Sequence, residues 1–378
     1  MRPKKIVIIA NVPSSILIFR KELIQELIRQ RHQVYCLAYG FSVKDEQTIE
    51  GWGGIPLNHH INPKGLNPLT DLKATFLLYK QLLKIAPDIV LACFIKPVIF
   101  SSLAAKLAKV KHKIGMLEGL GNAFINYKGG LNKKAQWIKL IQIALYKATL
   151  PLLDTLILLN PDDKHDLIDR YNIKVKRLHI LGGIGVDLNQ FQYSKPIIQD
   201  KIIFLFIGRL VVSKGIFEFI EAAKRVKKRY PNSIFRVVGD VDANNPFSIQ
   251  SNELSESINE GVIEYIGYSN DIVPIIKESH VFVLPSYREG VPRSTQEAMA
   301  IGRAIITTNV PGCNLTVQNN ENGFLVDCYD TKALEEKMSF FIQNPCVIED
   351  MGQKSRQLAE KNFDINKINN TLIQLLMK

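Results

Sequence analysis

The feature that most limits how this chain can fold is an alternation that occurs twice: short, uninterrupted apolar runs, each followed by apolar residues at helical spacing. In the first half, runs at 5–10, 34–37, 89–93, 113–117 and 155–159 alternate with helical patterns at 19–31, 72–85, 98–108, 133–149 and 162–171. Strands that are apolar throughout and separated by helices predict a parallel sheet covered on both faces. A polar stretch at 182–200, broken by glycines and Pro196, follows. The pattern then restarts, with runs at 202–207, 234–238, 262–266, 281–284, 304–307 and 323–326 and helices at 215–229, 253–259, 270–279 and 294–300. A last amphipathic segment covers 355–376. The expectation is an α/β protein of two tandem Rossmann-like, doubly wound parallel-sheet domains, 1–188 and 189–354, with a C-terminal helix at 355–378 packing back on the first. Two such domains facing across a cleft would bind ligands at the carboxyl ends of their strands.

Several classes drop out on composition. Arg2-Pro3-Lys4-Lys5 and the apolar run after it imitate a signal peptide, but Asn11, Pro13, Ser14 and Ser15 interrupt the run and Arg20-Lys21-Glu22 opens an amphipathic helix. Lys147 and Asp154 break the longest candidate membrane span, at 137–159. The five cysteines, Cys36, Cys93, Cys313, Cys328 and Cys346, are far apart and never in a C-x-x-C pair, so neither a disulfide framework nor a zinc site is expected. A cytoplasmic location is the expectation. Charge is uneven: residues 1–188 hold 27 Lys and Arg against 14 Asp and Glu, and residues 189–378 hold 21 against 22. Such an asymmetry points the first half toward a polyanion. Lys106, Lys109, Lys111 and Lys113, with Lys128, Lys133, Lys134, Lys139 and Lys147 around Trp137 and Tyr146, suggest an anionic membrane surface. No RNP-like motif, helix-turn-helix or zinc pattern supports nucleic acid.

Two segments carry the chemistry. The first strand-to-helix loop, 10–15, contains no glycine, which excludes the G-x-G-x-x-G turn of a dinucleotide site. Its counterpart in the second half, Gly208-Arg209-Leu210-Val211-Val212-Ser213-Lys214-Gly215, sets two cations five residues apart, as a diphosphate clamp requires. The segment from Leu284 to Gly302 reads strand, tight loop, helix, stop, with Pro292 in the first helical turn and Gly302 at the end. The N–H groups within 291–295, Pro292 having none, there suit a phosphate. Glu289 stands before the helix and Glu297 eight residues on, placed to grip two ends of one ligand. Asp240-Val241-Asp242 matches the short D-x-D of metal-dependent nucleotide-sugar enzymes, but two tandem parallel-sheet halves oppose the single-domain architecture that uses it.

Glu, seven residues, Glu within E-G-V-P-R-S-T-Q-E-A-M-A-I-G, with G-R-L-V-V-S-K-G upstream, resembles the retaining glycosyltransferases of family four, which adopt the GT-B fold. F-R-K at Phe19, K-P-V-I-F-S-S-L-A-A-K-L-A from Lys96 and E-G-L-G from Glu118 are similar to the subgroup that adds N-acetylgalactosamine or related sugars to undecaprenyl-diphosphate-linked glycans. The resemblance implies that Arg209 and Lys214 hold the diphosphate of a UDP-sugar, Glu289 binds sugar hydroxyls and Glu297 the ribose. Gly208, Ser286, Gly290, Val291, Pro292, Arg293 and Ser294 would line the donor site, and Gly239, Gly267 and Tyr268 would flank the base. Asn11, Ser14, Ser15, Lys96, Glu118, Gly119 and Asn122 would meet a polyprenyl-diphosphate-linked saccharide acceptor. Glu118, where many relatives carry histidine, joins Arg209, Lys214 and Glu289 as a catalytic candidate. No cofactor and no metal are implied, and the enzyme would sit on the inner face of the cell membrane in capsule, O-antigen or glycoprotein glycan assembly. The alternatives are a nucleotide-sugar epimerase of the same fold and a non-catalytic anion- or nucleic-acid-binding protein.

Overall fold

The computed structural model describes residues 2–63, 65, 67–198, 200–241 and 247–378. They form two compact units, one of residues up to Phe124, Leu131–Leu181 and Asn366–Lys378, the other of Ile125–Gly130 and Gly182–Ile365. In chain order the elements up to residue 180 are β1 (Lys5–Ile9), α1 (Pro13–Leu17), α2 (Lys21–Arg29), β2 (Gln33–Ala38), α3 (Val43–Gly51), β3 (Ile55–Asn58), α4 (Pro68–Ile85), β4 (Ile89–Cys93), α5 (Ile95–Leu107), β5 (His112–Leu117), α6 (Lys133–Thr149), β6 (Thr155–Leu158), α7 (Pro161–Asp163, widened into a π turn over Lys164–Asp169) and β7 (Leu178–Ile180). The remainder comprises β8 (Ile203–Ile207), α8 (Ile216–Arg229), β9 (Ile234–Val238), α9 (Ser251–Asn259), β10 (Glu264–Gly267), α10 (Val273–Glu278), β11 (Val281–Leu284), α11 (Arg293–Ile301), β12 (Ala304–Thr308), β13 (Gly323–Val326), α12 (Thr331–Gln343), α13 (Val347–Asn362) and α14 (Ile365–Met377).

The first sheet has the order β3-β2-β1-β4-β5-β6-β7 and the second β10-β9-β8-β11-β12-β13, and every paired strand is parallel. Both are doubly wound: each grows one way from its first strand and then back the other way. Right-handed crossovers therefore place α4, α5 and α6 on one face of the first sheet, with α2 and α3 on the other. Two core clusters agree. Val7, Ile9 and Val90 meet Ala74, Leu78 and Leu82 of α4 and Ala104 of α5, while Ala92, Leu156 and Leu158 meet Val98 of α5 and Ile143 and Tyr146 of α6.

Some differences from expectation fall where the apolar signal is weak, although α12, which buries Leu334, Met338 and Phe341, was not expected either. Strands β3 and β7 and helix α3 carry mostly half-buried or polar residues, so their periodicity is faint. Helix α2 begins at Lys21, because Arg20 turns inward and is buried rather than joining the outer face. The C-terminal segment is two helices. Val186 bonds across the break at Phe363 and Ile365 (2.8 and 3.1 Å), which leaves α13 in the second unit and sends α14 to the first, where the Leu376 carbonyl meets His112 Nδ1 at 3.1 Å. All five cysteines are free thiols, and burial pushes those of Cys36 and Cys313 up to about 12.

Candidate active site

In a doubly wound sheet the ligand crevice opens where strand order reverses, here between β8 and β11. The loops leaving those two strands are residues 208–215 and 285–292, the segments singled out in the sequence. A main-chain bond joins them, Tyr287 N–H donating to the Ser213 carbonyl (2.9 Å), and Glu289 N–H ties the second loop to the one after β12 through the Pro311 carbonyl (3.0 Å). Thr307 Oγ1 donates to the Leu284 carbonyl at 2.7 Å, and Thr308 Oγ1 donates to Ser286. Two glycines make this approach possible. Gly215 has φ +75°, and a Cβ there would run into the Pro285 carbonyl; Gly312 has φ +79° and faces the carbonyls of Glu289 and Gly290 in the same way.

This frame presents paired charges. Lys214, in a short 3₁₀ turn, forms an ion pair with Glu289, the side chains being 20% and 13% exposed. Arg209 is exposed on the same loop, beside Gly208. Pro292 caps α11, whose first-turn N–H groups at Arg293, Ser294 and Thr295 precede the first intrahelical bond, from Gln296 to Pro292 (3.2 Å). Val291 is buried beside it. One turn in, Arg293 Nε donates to Glu297 Oε1 at 2.9 Å. Glu297 is buried, and desolvation raises its pKa against the lowering effect of Arg293. Cations, carboxylates and a helix N-terminus at one strand edge can hold an anion and sugar hydroxyls together.

Gly239 follows β9, and Gly267 ends the neighbouring strand β10 with Tyr268 just after it. Gly239 N–H donates to the Gly267 carbonyl (3.0 Å), the Tyr265 hydroxyl donates to the Gly239 carbonyl (3.0 Å), and Tyr268 is exposed. Of the D-x-D, Asp242 lies outside the described residues.

In the first unit, Asn11, Ser14 and Ser15 follow β1, Lys96 opens α5 after β4, and Glu118, Gly119 and Asn122 follow β5. These are again carboxyl ends of adjacent strands at the reversal. Ser15 is buried, Asn11 half-buried and Asn122 exposed. Lys96 is engaged within the unit: its ammonium donates to the carbonyls of Asn62 and Gly65 and to Asp71 Oδ1, each at 2.8 Å. Glu118 is held by a buried ion pair with Arg20. Between β4 and α5, Phe94 adopts φ +72° and ψ 169°, a strained region nearly confined to glycine.

Three groups of supporting residues escaped sequence reasoning. Arg20 was visible in F-R-K but had no partner until the fold brought it to Glu118. Gln296 spans the site's base, its Oε1 accepting from Gly185 N–H and its Nε2 donating to the Val291 carbonyl, both at 3.2 Å. Tyr287 donates to Glu218 at 2.7 Å and packs on Tyr329 with ring centroids 4.4 Å apart. The sequence signal was position alone: Arg20 in F-R-K, and Tyr287 and Gln296 within the segment that carries Glu289 and Glu297. Among the lysines expected on a basic face, Lys113 instead lies buried against Asp154 (2.7 Å), and Tyr146 sits in the core.

Fold and site together define a two-domain glycosyltransferase of GT-B architecture. Residues 189–360 match the family described as Glycosyl transferases group 1, and residues 20–190 match Glycosyltransferase Family 4. The chain is a glycosyltransferase carrying both of these domains, which together match residues 20–360. It is 28% identical over 350 residues, 89% of each chain, to the N,N'-diacetylbacillosaminyl-diphospho-undecaprenol alpha-1,3-N-acetylgalactosaminyltransferase of Campylobacter jejuni. It is 29% identical over 317 residues, covering 80% of this chain and 79% of the other, to an Escherichia coli UDP-Gal:alpha-D-GlcNAc-diphosphoundecaprenol alpha-1,3-galactosyltransferase. Among solved structures, Anabaena HepE in complex with UDP and glucose superposes with a TM-score of 0.78 at 15% identity, over 99% of each chain.

Proposed function

We propose that this enzyme moves a hexose or N-acetylhexosamine, with N-acetylgalactosamine the first choice, from a UDP-sugar to a polyprenyl-diphosphate-linked saccharide, retaining anomeric configuration and using no metal. The observation that carries this reading is the meeting of the Lys214–Glu289 pair with the start of α11 and the Arg293–Glu297 pair, at the point where strand order reverses. The similarity to the Campylobacter and Escherichia transferases, both named for undecaprenol-linked acceptors, supports the acceptor class.

In this reading the hard part of the reaction is carrying the departing diphosphate while positive character grows at the anomeric carbon. Arg209, Lys214 and the first-turn N–H groups of α11 carry that charge, and a lost donor of this kind costs about 3 kcal/mol in the transition state. Glu289 accepts sugar hydroxyls and Glu297, set by Arg293, accepts from the ribose. The acceptor hydroxyl attacks from the face the diphosphate leaves, its proton passes to a departing phosphate oxygen, and the C–O bond to phosphate breaks as the new one forms. Arg20 fixes the carboxylate of Glu118 on the acceptor side. No helix among the described residues is long and apolar enough to cross a membrane. Access to a polyprenyl acceptor therefore calls for contact with the inner membrane surface. Incubation of UDP-N-acetylgalactosamine and a short polyprenyl-diphosphate saccharide with enzyme and excess chelator tests this proposal. The expected product is an α-linked sugar by NMR. A β-linked product, or transfer only after divalent metal is restored, would overturn it.

A further inference from the structure

The outward surface of α4, α5 and α6 has a composition unusual for water-facing helices. On α4, Leu69, Leu72, Phe76 and Leu83 recur at intervals of three, four and seven residues, and each exposes more than half of its surface. Lys73, Lys80 and Lys84 share that exposed face, and the Lys80 ammonium lies 4.7 Å from the centre of the Phe76 ring. Helix α6 repeats the arrangement, with Trp137, Leu140 and Ile141 more than half exposed between Lys133, Lys134 and Lys147. Scattered exposed apolar residues are ordinary; a stripe at helical period on two helices of one layer is not. Both helices spend their opposite faces on the sheet and both pack on α5, which adds exposed Leu107 and Lys106. Across the three helices there are nine lysines and one acid, Asp71, which is buried and bonded to Lys96.

We infer that this three-helix layer is the surface on which the enzyme lies on an anionic bilayer, with Leu72, Phe76, Trp137, Leu140 and Ile141 entering the headgroup boundary and the flanking lysines meeting lipid phosphates. The inference rests on the membrane-surface reading above and assigns the face. Charge complementarity selects the occupant: the exposed part of the layer carries lysines and no acid, so a second copy of the same face would repel it. An aromatic and aliphatic stripe with lysines beside it is also the composition that partitions into an interface. The lysines expected from sequence contribute only in part, since Lys113 is buried, and α4 lay outside that expectation altogether.

The test uses the full chain and vesicles of neutral phosphatidylcholine, with or without a third of phosphatidylglycerol. Trp52 is changed to Phe so that Trp137, the other of the two tryptophans, reports alone. The expected result is co-sedimentation with anionic vesicles only, a blue shift of Trp137 emission on binding, and binding at least tenfold weaker for Leu72→Ser/Phe76→Ser and for Leu140→Ser/Ile141→Ser. Removing one flanking lysine should weaken binding about fivefold. If the wild type binds anionic vesicles and both double variants bind equally well, the face is wrong while the membrane reading stands. If the wild type binds neither vesicle, both fall. A dimer in sedimentation velocity that the double variants dissolve would replace the bilayer with a second copy. Far-UV circular dichroism and a cooperative thermal melt matching wild type check that each variant is folded.

Discussion

Replacing Gly215 by alanine tests whether the two donor loops form one frame. Any L-residue at φ +75° pays roughly 1–2 kcal/mol for the left-handed conformation. Gly261 supplies the matched control, with φ +66° and nothing within 4 Å of an added Cβ. Gly261→Ala should therefore cost about 1–2 kcal/mol and nothing more. At Gly215 the methyl also meets the Pro285 carbonyl, so the loops must part, at a further ~1–3 kcal/mol by analogy with overpacked cores. At about 2–4 °C per kcal/mol for a domain of this size, Gly215→Ala should melt several degrees below Gly261→Ala. Displacing Lys214 and Glu289 from each other should also weaken UDP binding by at least about tenfold, since positioning errors near 1 Å cost that much or more. Differential scanning calorimetry and UDP titration on the two variants decide it. Equal melting losses with unchanged UDP affinity in both would refute the claim that this glycine sets the site.

Other outcomes follow from the charges. Lys214→Met should lower kcat by about 10²–10³ with a smaller change in acceptor KM, measured by initial rates at varied acceptor. Because burial raises the Glu297 pKa, the native state holds a proton that the unfolded chain has already released, so wild-type stability falls as pH rises through that interval. Glu297→Gln lacks that loss: its stability relative to wild type should grow from pH 4 upward in urea melts, even as UDP affinity falls. Asp154, held by Lys113 and Lys176, has its pKa lowered to about 2, so its contribution is present above the ordinary aspartate value near 3.8 and disappears as pH drops through about 2. Asp154→Asn should flatten that part of the acid-unfolding curve.

Much of this architecture is written in local pattern. Strands such as β1, β4 and β11 are buried on both faces and read as unbroken apolar runs, which is why two parallel sheets were legible. The Glu289 and Glu297 spacing was legible for a related reason: loop, cap and helix lie within one continuous segment. What depended on tertiary approach was not. Arg20 finds Glu118 across 98 residues, Lys214 finds Glu289 across 75, and Gln296 reaches back to Gly185, none of which has a sequence period. The basic half illustrates the same limit. Lysine counts revealed the charge asymmetry, but only side-chain burial separates Lys113, locked to Asp154, from the outward lysines of α4 and α6.

The most direct test of the donor-site assignment is calorimetric titration of UDP into wild type and Glu297→Ala, in excess chelator, with GDP as the competing nucleotide. The account predicts chelator-insensitive UDP binding, preferred over GDP, that weakens when Glu297 is removed. UDP binding of unchanged strength in Glu297→Ala, or none at all without divalent metal, would contradict it.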